Sequence, residues 1–155
     1  VSQMLPLEQR VDRLNHTASA LGLPVGESRW LVTLDLQSPL VLDDALLNPR
    51  FDLEPEDLAV HGAAVDWQIL PGHVALTVIG GWQALRDRPK RHRQALAAGS
   101  VIPAWVSGSR AQVMAALRSI ETHGLGRGWG EGHGQVIVCH PFHLDALPGK
   151  QGGPR

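Results

Sequence analysis

Six glycines alternate with other residues from Gly124 to Gly134 in GLGRGWGEGHG, directly ahead of the β-branched run QVIV. Each glycine gives up backbone freedom on folding and supplies no side chain to pack. Such a stretch either lets something approach the backbone closely or serves as a flexible linker. Gly126, Gly132 and Gly134 would shape the loop, and Arg127, Trp129 and His133 stand between the glycines: a cation, a stacking surface and a polarisable ring. Consecutive exposed amides can form an anion-binding nest, and those three side chains suit a nucleic-acid backbone with a base stacked alongside. No Gly-Lys-Ser/Thr closes the stretch, so it is not a Walker loop. It enters a strand instead of a helix, so it is not a dinucleotide fingerprint.

A second chemical feature lies upstream. Arg86, Arg88, Lys90, Arg91 and Arg93 put five cations in eight residues, opposed only by Asp87. The formal net charge is −1, so any attraction for nucleic acid must be local, and 5 of the 14 basic residues gather here. The cluster reads as a phosphate-contacting patch; the plainer alternative is a solvated charge run. His123 and His133 flank or enter the glycine stretch and could act as general acid and base in RNA cleavage, with His61 or His73 joining them. No motif fixes their geometry, and surface histidines are the simpler reading. Cys139, His140 and His143 are metal-ligand types, but strand alternation places Cys139 and His140 on opposite faces and no second ligand pair stands nearby. Neither a metal site nor a cofactor is read. Trp30, Trp67, Trp82 and Trp105 occupy strand positions and are assigned to the core or an interface.

The elements that must position these groups follow from periodicity. At 155 residues, 43% hydrophobic and 19% charged, the chain reads as about one globular domain. A single cysteine excludes an internal disulfide framework and fits a reducing compartment. No apolar run approaches the roughly 18 residues of a transmembrane helix, and no signal-peptide pattern opens the chain. A cytoplasmic protein is expected, and the opening Val1 suggests a piece of something longer.

After Pro6, LEQRVDRLNHTASALG predicts a helix with Leu7, Val11, Leu14, Ala18 and Leu21 on one stripe, ended by Gly22, Pro24 and Gly26. RWLVTLDLQ alternates as a half-buried strand. AVDWQILPGHVALTVIGGW reads as two strands joined at Pro71-Gly72-His73. QALAAG reads as a short helical piece and SVIPAWV as a strand, Pro103 arguing for an edge or a bulge. Ser109 with Gln112 forms a capping box ahead of Val113, Ala116, Leu117 and Ile120. QVIVCH is the last strand, and the end of the chain reads as a disordered tail. A strand–helix–strand unit closing a β-rich chain predicts an α+β sandwich with helices on one face of an antiparallel sheet, a split βαβ or ferredoxin-like arrangement. The division expected is an N-terminal helix and connector over 1–28, the ferredoxin-like domain over 29–147 and a flexible tail over 148–155.

The stretch contains Gly-x-Gly, five residues, then Gly-x-Gly, which is similar to the C-terminal glycine-rich loop of the RAMP superfamily of CRISPR-associated proteins. The preceding helix and following strand sit where that family has them. GGWQALRDRPKRHRQALAAGSVIPAWV resembles a second block, found in the two-RAMP-domain subunits of type III effector complexes, particularly type III-D: Gly-Gly-Trp, a Pro with basic neighbours, then Ala-Gly-Ser before a strand. LEQRVDRLN resembles that group's inter-domain helix. The likeness spans Arg29 to Phe142. It implies a ferredoxin-like RAMP domain with no catalytic activity, binding the 5′ handle of the guide RNA (crRNA) among other CRISPR effector subunits, namely backbone RAMP proteins and the large polymerase-like subunit, away from any membrane. Under it the RNA contacts would be Gly126, Arg127, Trp129, Gly132, His133, Gly134 and the 86–93 cluster. The alternatives are a RAMP-type, metal-independent endoribonuclease processing guide-RNA precursors through His123 and His133, and a purely structural assembly module. Where the family usually has an aromatic or aliphatic residue in the second Gly-x-Gly, this chain has His133. Only one RAMP domain fits in the length, so the first would belong to a separate chain or a missing segment.

Overall fold

The computed structural model describes residues 4–145; the tail expected over 148–155 lies outside the described residues. The apolar stripe of the first helix, α1 (Leu7–Ala20), is buried through Leu7, Val11, Leu14 and Ala18. Its last expected member, Leu21, is 67% exposed, because the helix stops at Ala20 and Gly22 turns the chain away with a positive φ. The strand β1 (Arg29–Leu36) alternates as its sequence predicts, sending Trp30, Val32, Leu34 and Leu36 into the core. A small hairpin of β2 (Leu42–Asp43) and β3 (Pro49–Arg50) and a short helix, α2 (Pro55–Ala59), lead to β4 (Asp66–Ile69).

From β4 the chain builds one long hairpin spanning residues 66–107. Its outgoing arm is β4, β5 (Leu76–Ile79) and β6 (Trp82–Gln83); its return arm is β7 (Arg88–Pro89), β8 (Arg93–Leu96) and β9 (Val101–Ser107). The pairs β6–β7, β5–β8 and β4–β9 are successive rungs of this ladder, and the tip is a 3-10 turn over Ala84–Arg86 closed by Asp87 at φ 45°. Three local expectations give way here. Pro71-Gly72-His73 does not turn the chain back, since β4 and β5 both pair with the return arm. QALAAG is strand and not helix at its start, because Leu96 exchanges both backbone hydrogen bonds with Leu40, 2.9 Å each, and Ala95 and Leu96 are buried. Pro103 lies in an interior strand, between β1 and β4. Its missing N–H falls beside Leu70, just past the end of β4, where the register slips by one residue before His73 meets Val101.

The helix α3 (Arg110–His123) opens on Ser109, whose side-chain oxygen accepts the Gln112 amide at 3.3 Å. It leads through the glycine stretch to β10 (Val136–Val138) and the short α4 (Phe142–Asp145). The four-stranded sheet has the order β10-β1-β9-β4, every neighbouring pair antiparallel. One face of it, carrying Val32, Leu34, Ile102, Ala104, Val106, Val136 and Val138, packs with α1, α2 and α3 into a single core. The chain is therefore α+β, with its helices on one face of an antiparallel sheet. Among the described residues no helix is long and apolar enough to cross a membrane.

Buried polar groups of α1 finish the sheet edge. Because β10 pairs only with Leu34–Leu36, the outer backbone of Leu31 lacks a strand partner on that side. The Asn15 side chain supplies one, donating to the Leu31 carbonyl at 2.8 Å and accepting its amide at 2.7 Å. Arg10 sits buried beside the end of β10, bidentate to Glu121 at 2.7 and 3.1 Å and donating to the carbonyls of Leu5 and Val138. Glu121 in turn accepts the Val138 amide at 2.8 Å. Glu8–Arg118 and Asp12–Arg110 pairs complete an ion ladder between antiparallel α1 and α3.

Glu121→Ala strands the Arg10 guanidinium and the Val138 amide together, so it is expected to destabilise the fold by about 3 kcal/mol or more. Urea unfolding checks this; a loss below about 1 kcal/mol, the range of exposed ion pairs, would mean that solvent replaces the partner.

Candidate nucleic-acid interface

The glycine stretch is a braced element and not a linker. Gly124 caps α3, its N–H donating to the Ile120 carbonyl at 2.8 Å. The Leu125 amide donates to Gly134 at 2.8 Å, the Gly134 amide to Pro39 at 2.8 Å and the Arg127 amide to Val41 at 3.0 Å, while buried Leu125 anchors the loop in the core. Inside it, the amides of Glu131 and His133 both reach the Gly128 carbonyl.

The backbone that approaches these glycines is the chain's own. At Gly126 (φ 67°) an added Cβ would run into the Val41 carbonyl oxygen, and at Gly134 (φ 72°) into that of Leu125. Both the left-handed conformation and the contact exclude a side chain. Gly132 differs: its φ is 86°, yet a Cβ there would meet nothing within 4 Å. Trp129 opens a 3-10 turn, Trp129–Glu131; the stacking expected of its side chain lies outside the described side chains.

Residues 39–41 join this loop to the long hairpin. Leu40 bridges Leu96 of β8, and Val41 bridges Arg127. Side chains repeat the link. Lys90 reaches Glu131 at 2.8 Å, and this hydrogen bond, with the lysine's charge, holds the Glu131 carboxyl below the usual carboxylate range. Arg93 and Arg127 share one oxygen of Asp43, at 2.8 and 3.6 Å; the Asp43 side chain is only 4% exposed, whereas the two arginine side chains are 45% and 59% exposed. The two sequence blocks, separated along the chain by β9 and α3, are thus one surface. Arg86, Arg88 and Arg91 are exposed and take part in no ion pair among the described residues. Beside them Leu76, Val78, Trp82 and Leu85 are exposed along the hairpin, so Trp82 is not a core residue, unlike Trp30, Trp67 and Trp105.

His123 and His133 line a common cleft of about 460 Å³ at the end of α3, together with Gln37, Glu121, Gly124 and Gln135. His123 lies in a short polar chain: its Nδ1 is 3.1 Å from the Ser119 carbonyl, and Ser119 Oγ is 2.8 Å from His61 Nδ1. Burial, then the neighbouring His123, pushes His61 below its ordinary value. His73 bridges Val101 within the hairpin.

A polar cluster that the sequence reading missed stands on the other face of β1. Asp35 is buried; one oxygen lies 2.5 Å from His143 Nε2, the other accepts the Thr33 hydroxyl at 3.0 Å. A carboxylate near the end of a largely apolar strand, RWLVTLDL, two residues after a threonine, was the available signal. The Cys139 thiol is buried and pushed up to about 12 by desolvation, which removes it as a nucleophile at neutral pH.

Gly126→Ala is expected to destabilise the chain by more than about 2 kcal/mol, combining a left-handed residue with a backbone clash, and Gly132→Ala by about 1 kcal/mol, the conformational cost alone. Denaturant titration of the two variants ranks them; equal losses would mean that the loop shifts to admit the Cβ at Gly126. No protein-family model matches the chain, and no curated protein matches it.

Proposed function

We propose that this chain is a non-catalytic RNA-binding domain of the RAMP type: a subunit, or half-subunit, of a type III (III-D-like) CRISPR interference complex that holds the 5′ handle of the guide RNA. Counting only the strands of the main sheet, their spatial order is fourth, first, third, second, all antiparallel with helices on one face, which supports a ferredoxin-like domain. The glycine loop between α3 and the last strand, β10, supports the RAMP assignment. The observation that carries the function is the joining of the loop to the basic hairpin through Lys90–Glu131 and Arg93–Asp43–Arg127. It gathers cations on one edge of a chain whose net charge is −1, and leaves Arg86, Arg88 and Arg91 to neutralise phosphates. Gly132, left-handed with open space above it, lets RNA or a neighbouring subunit come close to the backbone. Backbone RAMP proteins and the large polymerase-like subunit are the protein partners of this reading.

One observation favours a second reading. His123 and His133 share a cleft, the placement that a metal-independent ribonuclease needs. One ring would take the proton from a 2′-hydroxyl as it attacks the adjacent phosphorus, and the other would protonate the departing 5′-oxygen. The braced basic surface needs no such step.

Arg88→Ala with Arg91→Ala is expected to weaken single-stranded RNA binding and to flatten the slope of log K against log salt by about 1.4, at ~0.7 for each phosphate no longer neutralised. Anisotropy titrations at several salt concentrations measure it. An unchanged slope would reduce the cluster to a solvated charge run.

A repeat-containing RNA incubated with the purified chain is expected to remain intact, and His123→Ala and His133→Ala to alter affinity alone. Single-site cleavage that falls ~10² to 10⁴-fold on replacing either histidine would install the nuclease instead.

A further inference from the structure

Resting on the RNA-binding reading, we infer that the groove between the basic hairpin and the β2–β3 turn is a pocket for one unstacked nucleotide, its base held between Leu47 and Val78 and its phosphate by Arg91 and Arg93. The groove encloses about 630 Å³, within the range of small-ligand sites and too confined for a base-paired helix. Leu47, Pro49 and Val78 give it an apolar part, and the consecutive Arg91, His92 and Arg93 line it as well.

Leu47 is the apolar residue that the β2–β3 turn holds out into this groove. It adopts a left-handed conformation, φ 65°, which costs energy for any residue with a Cβ, and it stays 59% exposed. The turn enforces this. Asp44 accepts the amides of Leu46 and Asn48 at 2.8 Å each and the Asn48 side chain at 3.0 Å, and the Leu47 amide closes on the Asp44 carbonyl at 3.0 Å. Those hydrogen bonds hold the Asp44 carboxyl below its usual range, so it stays an acceptor at neutral pH. Val78, which lines the same groove, is also 59% exposed, on a strand where it pairs with Gln94.

Charge selects the occupant. Asp43 reaches into the groove, but its carboxylate is nearly buried and already engaged by Arg93 and Arg127, which fixes the Arg93 guanidinium in place. Arg91 pairs with no acidic group among the described residues. Apolar walls that accept the face of a base, beside one fixed and one available guanidinium for its phosphate, match a nucleotide at both of its chemical ends. The groove also continues the surface formed by the hairpin and the loop, so a strand tracking the basic residues can place one base in it.

The test uses the full chain and a short single-stranded RNA, with one abasic nucleotide moved along the oligomer and binding followed by fluorescence anisotropy. One position is expected to weaken binding about tenfold, the others little, as loss of a single stacked base predicts. Leu47→Gly relaxes the left-handed turn and so folds at least as well, yet it should erase that positional penalty; a thermal melt verifies the fold. Leu47→Asp should weaken the unmodified oligomer as well. Equal penalties at every position, or a penalty that persists in Leu47→Gly, would overturn the pocket while leaving RNA binding in place. Failure of the chain to bind any RNA would overturn the RNA-binding reading itself, and the pocket with it.

Discussion

Three residues, Pro39, Leu40 and Val41, hold the hairpin and the glycine loop together through their backbone. Leu40 exchanges hydrogen bonds with Leu96 on the long hairpin, and Val41 and Pro39 accept the amides of Arg127 and Gly134 in the glycine loop. The hairpin and the loop come from different parts of the chain, and ion pairs are their main side-chain link. Only a strand-like segment between them, approached closely from one side, can order both. That approach is what the glycines permit: with a Cβ at Gly126 the Val41 carbonyl would have no room. The entropy surrendered by the loop is offset by hydrogen bonds and by the burial of Leu125 and Leu40.

Electrostatics then acts on a surface already built. A net charge of −1 conceals a strong local asymmetry. Acidic residues adjoin this edge mainly as positioning groups, Asp43 holding Arg93 and Arg127, and Glu131 holding Lys90. Each such pair removes some attraction for an anion but also removes rotamer freedom from a long cationic side chain, so less is lost when a phosphate binds. Arg86, Arg88 and Arg91, nearer the tip, have no acidic partner among the described residues. Paired cations, next to the loop, and cations without an acidic partner among the described residues therefore belong to one surface.

Around the short strand β10, stability rests on polar groups that few cores admit. Arg10, Asn15 and Glu121 serve the short strand β10 and the unpaired edge of β1. They tie α1 to the same sheet that carries the loop, so the opening helix is packed into the common core and not merely attached to it. Asp35 and His143 fasten the chain after β10 in the same manner.

What the sequence determined by itself was everything that one element's periodicity encodes. The buried stripe of α1, the alternation of β1, the Ser109 cap and apolar face of α3, and the run of β10 are all readable, because each depends on residues within a few positions of one another. The helices-on-one-face α+β class follows from their order. The long hairpin escapes a local reading because Pro71-Gly72-His73 carries turn chemistry that a distant partner overrides: the ladder to β8 and β9 satisfies more backbone than a local reversal would. QALAAG becomes strand for the same reason, through its pairing with Leu40 and Leu76. Pro103 marks a break but not an edge, since a strand can be interior and still present its missing donor at a gap. Glycine spacing announces a close approach, but not what approaches. Nor can linear order show that Lys90 meets Glu131, that His123 and His133 share a cleft, or that Leu47 and Val78 line one groove. Those are contacts between segments, and only the tertiary structure decides them, because the energy that selects them is shared by residues far apart in the chain.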